Sequence, residues 1–172
     1  MEQKVTTPVL AGAIISLILI VESLIVYFTG LYLQDWVQYL AFVILIAGIV
    51  WAVINNAKQK NNNVSYGQLF GFGFKVAAVI TCLMILYAVL SGFLFPEIKQ
   101  KIIEVARQKA LAKPNADADQ VEKGMEFFEK NYNLFIIIGL VFWYLIIGLV
   151  TSLIAAAFPK KNPTPEFENQ FK

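Results

Sequence analysis

Four long stretches of the chain carry almost no polar residue: positions 9–28, 37–54, 69–95 and 134–158. Each has the length of a bilayer-crossing helix, about 20 mostly apolar residues. The last reads "LFIIIGLVFWYLIIGLVTSLIAAAF". Its apolar residues surround the helix on every face, unlike the single stripe of a soluble surface helix. The intervals are equally informative. "TGLYLQDW" is too short for anything but a tight turn, and "NNAKQKNNNVS" is a polar linker. Residues 96–133 form a longer polar insert, and residues 162–172 are expected to be an extended or flexible tail. The pattern predicts an all-α polytopic membrane protein. Its four spans make an antiparallel bundle, a single domain over residues 1–172. The first span exceeds the ~7–15 apolar residues of a signal peptide and no A-x-A-like site follows it, so it reads as a retained helix.

The insert has a pattern of its own. Pro96 suits the first turn of a helix. Ile98, Ile102 and Val105 recur at helical spacing, and "KPNADAD" reads as a turn. Asp119 with Glu122 fits a capping box, and Val121, Met125 and Phe128 give a second apolar stripe. The insert is therefore expected to be a helical hairpin outside the membrane, with the third and fourth spans on either side. It is either a docking surface or a plain connector.

Small residues recur four apart in every span: Gly12 and Ser16; Gly48 and Ala52; Gly67 and Gly71; Gly148, Ser152 and Ala156. Lipid supplies little hydrophobic drive between helices, so close backbone approach over small side chains does much of the packing. Paired termini put all four stripes in the same half of the membrane. The expected result is a bundle tight at the terminal end and filled with Phe93, Phe95, Phe142, Trp143 and Tyr144 toward the other.

Two charges interrupt the spans. Lys75 continues the Gly67–Gly71 stripe, and Glu22 is the one acid within any span. An intramembrane charge either pairs or snorkels to the interface. At ~1.5 Å per residue, Glu22 lies ~20 Å and Lys75 ~9–13 Å from the terminal ends of their helices, the limit of reach for two stretched side chains. Glu22 and Lys75 are thus a candidate intramembrane polar pair. The alternative sends Lys75 back to its interface and Glu22 to the opposite one, or leaves Glu22 protonated.

Orientation rests on lysines. Lys4, Lys58 and Lys60 flank the first hairpin and Asp35 sits inside it, which points the termini to the cytoplasm. Lys160, Lys161 and Lys172 lie on the terminal side too, against seven basic residues in the insert. Aromatic residues such as Tyr27, Tyr32, Trp36, Tyr66 and Tyr132 mark span ends.

Composition sharpens this picture mainly by exclusion. Of 172 residues, 58% are apolar and 15% charged, far from the ~25% charged residues of soluble domains. A net charge of +2 implies no nucleic acid. There is no histidine, and Cys82 is the one cysteine. That removes the commonest general base and metal ligand, an intrachain disulfide and any cysteine cluster. No nucleotide-binding or hydrolase motif is present, and "GFGF" lacks the strand and spacing of a dinucleotide fingerprint. Neither enzyme activity nor a cofactor is expected.

The four spans, the segment "VSYGQLFGFGFKVA" opening the third, the charged insert and "IAAAFPKKNP" closing the fourth resemble a family of small bacterial integral membrane proteins classed as a domain of unknown function. The resemblance covers most of the chain. It implies a bacterial inner membrane and carries no functional residues over. The partners expected are the lipid bilayer and a membrane-protein partner or second copy. The leading reading is an accessory, structural membrane protein. The alternative is a small transporter or channel subunit with Glu22, with or without Lys75, as an ion or proton site. An envelope-stress or lipid-interacting factor is a third.

Overall fold

The computed structural model describes residues 6–31, 34, 36–114 and 116–159, with the side chain of Gln38 set aside. Lys4, Tyr32, Asp35, Lys160, Lys161, Lys172 and the tail at 162–172 lie outside the described residues. The described residues form six helices and no strand: α1 Pro8–Phe28, α2 Val37–Gln59, α3 Tyr66–Leu94, α4 Pro96–Leu111, α5 Ala118–Lys130 and α6 Tyr132–Ala155. Of these, α1, α2, α3 and α6 are long and apolar enough to cross a membrane.

Local chemistry sets the helix ends. Thr7 caps α1, its hydroxyl accepting from the Leu10 N–H at 3.2 Å, and Pro8 follows in the first turn. The α2 helix runs five residues past its expected end, taking in Asn55 to Gln59 from what reads as linker. It stops where Asn61 and Asn62 adopt positive φ of 52° and 59°. Asparagine tolerates that left-handed turn better than most residues. The Asn62 N–H returns to the Ala57 carbonyl at 2.8 Å, closing the helix end. Ser65 and Gln68 form a reciprocal capping box on α3: the Ser65 N–H donates to Gln68 Oε1 at 3.0 Å, and the Gln68 N–H to Ser65 Oγ at 3.2 Å. Phe95, kept out of the helical region by the proline that follows, separates α3 from α4.

The chain divides into two compact units, Met1–Leu83 with Trp143–Lys172, and Met84–Phe142. In the first, Ile15, Leu19, Leu45, Ile49, Leu69 and Ile80 are fully buried. Outward-facing residues of the same helices are just as apolar, among them Val9, Leu17, Ile25, Val43 and Ile154. A continuous apolar exterior would be heavily penalised in water and is suited to lipid. Hydrogen bonds tie the helix ends in antiparallel pairs. The Thr6 N–H donates to Gln59 Oε1 at 2.6 Å, and Gln59 Nε2 donates back to Thr6 Oγ1 at 2.8 Å, joining the start of α1 to the end of α2. Tyr66 Oη donates to the Leu153 carbonyl at 3.0 Å, joining the start of α3 to the end of α6.

In the second unit, α4 and α5 form the expected helical hairpin. Ile103 and Met125 are its buried anchors, and Arg107 Nη1 reaches both carboxylate oxygens of Glu122 at 2.6 and 2.7 Å. Ile102, expected on the buried stripe, is exposed beside Ile103. The cap of α5 is Asp117, accepting from the N–H groups of Asp119 and Gln120, two residues before the expected Asp119. Glu122 is thereby released to pair with Arg107. Phe128 packs against Tyr132 and Phe135 with ring centroids 5.7 and 5.6 Å apart, and Lys99 Nζ lies 5.5 Å from the centre of the Tyr132 ring.

Candidate functional site: a small-residue helix seam

Glycine removes the side chain that would otherwise hold two helices apart, and the first unit uses this at four points. A methyl group added at Gly12 of α1 would lie 2.6 Å from Val79 Cγ1 of α3. One at Gly48 of α2 would lie 2.9 Å from two carbons of Ile15 in α1. One at Gly148 of α6 would collide with the Ala77 methyl of α3. One at Gly73 of α3 would lie 2.7 Å from Ser152 Oγ of α6 and 2.8 Å from Val53 Cγ2 of α2. Helix α3 thus touches all three of its partners through backbone-level contacts. Ser16, Ala52, Ser152 and Ala156 are buried in the same seam.

The third helix departs from expectation. A methyl group added at Gly67 or Gly71 would meet nothing within 4 Å, and neither residue packs against a neighbouring helix among the described residues. The contact face of α3 is instead Gly73–Ala77–Thr81, buried throughout. The physical reason is Lys75. It shares a face with Gly67 and Gly71, so turning those glycines inward would carry an ammonium group toward the apolar core. The helix puts that face outward. Lys75 was the signal in the sequence that could have found this.

Hydroxyls in the seam are satisfied within their own helices. Ser16 Oγ donates to the Gly12 carbonyl at 2.8 Å, Thr81 Oγ1 to Ala77 at 2.8 Å and Ser152 Oγ to Gly148 at 2.6 Å. Among the described residues, no fully enclosed side-chain polar atom lacks a partner. In lipid no water could supply one.

The Glu22–Lys75 pair does not form. Neither a hydrogen bond nor an ion pair joins the two residues. Lys75 is exposed, whereas Glu22 is half-buried and within electrostatic reach of the buried Tyr144 on α6. The periodicity of α1 and α6 gave no hint of Tyr144 as that electrostatic neighbour, because their proximity depends on how the helices are placed. No group of three or more acidic or cysteine side chains among the described residues could hold a metal ion.

Four apolar helices, an apolar exterior and a seam of small residues define a multi-pass membrane protein. Over residues 10–161 the chain matches the family described as "Protein of unknown function (DUF4199)", and it belongs to that family. No curated protein and no solved structure matches it.

Proposed function

We propose that this protein is an accessory, structural component of a bacterial inner membrane. Its four spans form a bundle with both termini in the cytoplasm. The α4–α5 hairpin lies on the outer side and docks a membrane-protein partner or a second copy. The role is non-enzymatic, in keeping with a 172-residue chain that has no histidine.

The observation that carries this reading is the tightly packed core of the first unit. Fully buried aliphatic side chains fill it, and glycine contacts at four points bring the helix backbones together. Such a core suits a rigid element better than a polar route through the membrane. The hairpin supports the docking role by exposing Phe127, 62% accessible, among charged neighbours.

The test is amine crosslinking through the hairpin lysines in native membranes. A discrete larger species, lost on replacing Phe127 with Ser, is the expected result. Monomer alone would remove the docking role. Sidedness is checked with Cys82→Ser plus Gly124→Cys, which a membrane-impermeant thiol reagent should label from outside the cell. The transport alternative draws on Glu22, half-buried beside Tyr144. Proton or ion flux in proteoliposomes that Glu22→Gln abolishes at unchanged helicity would favour it.

A further inference from the structure

One end of the first unit opens into a cleft of about 510 Å³, lined by Asn56, Lys60, Gly67, Gln68, Gly71 and Lys75. Two other grooves of the same unit are lined by aliphatic and aromatic side chains such as Ile46 and Ile154, or Ile14 and Trp51. The contrast is one of charge. Among the described residues, the cleft lining carries two lysines and no acid. No Asp or Glu occurs anywhere between Trp36 and Pro96.

Four further features favour an anion. The first turns of α1 and α3, which border the cleft through Pro8 and Gly67, contain no acidic residue. The positive partial charge of each helix start is therefore not offset by a carboxylate there. Gln68 spends its Oε1 on the Ser65 cap, which leaves its amide N–H₂ as a donor. Asn56 is only 2% exposed and lines the cleft, which places a carboxamide in its wall. Gly67 and Gly71 have open space where side chains would be, on the face that ends in Lys75. The aliphatic stem of Lys75 thus has a clear path along the helix toward its end, roughly 12 Å from Gly67 at ~1.5 Å per residue.

We propose that this cleft binds a phosphate group presented by an anionic phospholipid headgroup of the adjoining leaflet. Lys60 and Lys75 neutralise the phosphate. The amides of Gln68 and Asn56 donate to its oxygens. The two glycines keep the space open. The proposal needs the four helices to sit in lipid, and it is independent of the accessory role.

The test uses the full chain in a neutral detergent. Binding of short-chain phosphatidylglycerol, phosphatidylcholine and inorganic phosphate is measured by native mass spectrometry and by the shift in melting temperature. Phosphatidylglycerol should bind about tenfold more tightly than phosphatidylcholine, and Lys75→Gln should lower its affinity about tenfold, the scale of one charge-assisted hydrogen bond. Lys75→Arg should restore most of it. Lys58→Gln removes the same charge from an exposed residue outside the cleft lining and should bind like the parent. Gly71→Leu keeps every charge but fills the space, and should lose binding at unchanged helicity.

Three results would overturn the proposal. One is parent-like binding by Lys75→Gln. Another is an equal loss in Lys58→Gln, which would mean general surface attraction. The third is displacement of the lipid by millimolar inorganic phosphate, which would assign the cleft to a soluble phosphate instead.

Discussion

The two glycine faces of α3 look interchangeable on paper and behave oppositely in the fold. Gly73 sits where Ser152 and Val53 leave no room for a methyl group, whereas Gly67 and Gly71 have nothing within 4 Å of the same position. One face is a contact that brings backbones together. The other is a bare surface on the face that Lys75 shares. Glycine spacing therefore states that a helix face is smooth, and the neighbours decide what the smoothness is for.

Thermal unfolding in a fixed detergent, followed by helix circular dichroism, tests that contrast. The largest loss is expected for Gly148→Ala, about 3 kcal/mol, at the upper end of overpacking costs. Its added methyl runs into the Ala77 methyl. Pairing it with Ala77→Gly should return much of the loss, the signature of two residues in direct contact. If the double variant is no better than the single, the seam is not where the strain arises. Gly73→Ala should cost about 2 kcal/mol, because Ser152 and Val53 crowd it from two helices. Gly48→Ala should cost about 1 kcal/mol, since the Ile15 side chain it meets can shift to relieve part of the clash.

Away from the seam, effects should shrink. Arg107→Ala removes a pair whose side chains are 29% and 49% exposed, and about 0.5 kcal/mol is expected. Gly67→Ala and Gly71→Ala should not destabilise at all. Each adds a methyl group to open space in a helix, where alanine is favoured over glycine by ~0.8–1 kcal/mol. A large loss from either would erase the distinction between the two faces and return Gly67 and Gly71 to the packing seam.

Much of this architecture is legible in the sequence. All four spans appear within five residues of their expected ends, because hydropathy and helix caps act over a few neighbouring residues. The hairpin is readable for the same reason, down to Pro96 at the start of α4. The errors are of two kinds. Asn55 to Gln59 look like linker, yet the helix continues through them because Gln59 and Asn55 find Thr6. Asp117 outcompetes Asp119 as the cap, a choice between two acids two residues apart in which Glu122 has another partner in Arg107.

The candidate site is less legible. Gly12, Gly48 and Gly148 lie at tight contacts, and Gly67 and Gly71 do not. Glu22 and Lys75 are the two charges a reader would join, and the structure keeps them apart. Their spacing along the chain constrains depth only. It does not say which way each helix is rotated about its axis.

The sequence by itself determined that the described residues are all-α, that four helices are apolar enough for lipid, and where most of them begin and end. Those properties are sums over adjacent residues, so no distant contact is needed to read them. Tertiary structure alone decided which stripe of α3 faces its partners, that Glu22 and Lys75 stay unpaired and where an opening is left. Each of those depends on the rotation of one helix against another. That rotation is set by Val79, Ala77, Ser152 and Val53 meeting glycines from other helices, together with the cost of carrying Lys75 inward.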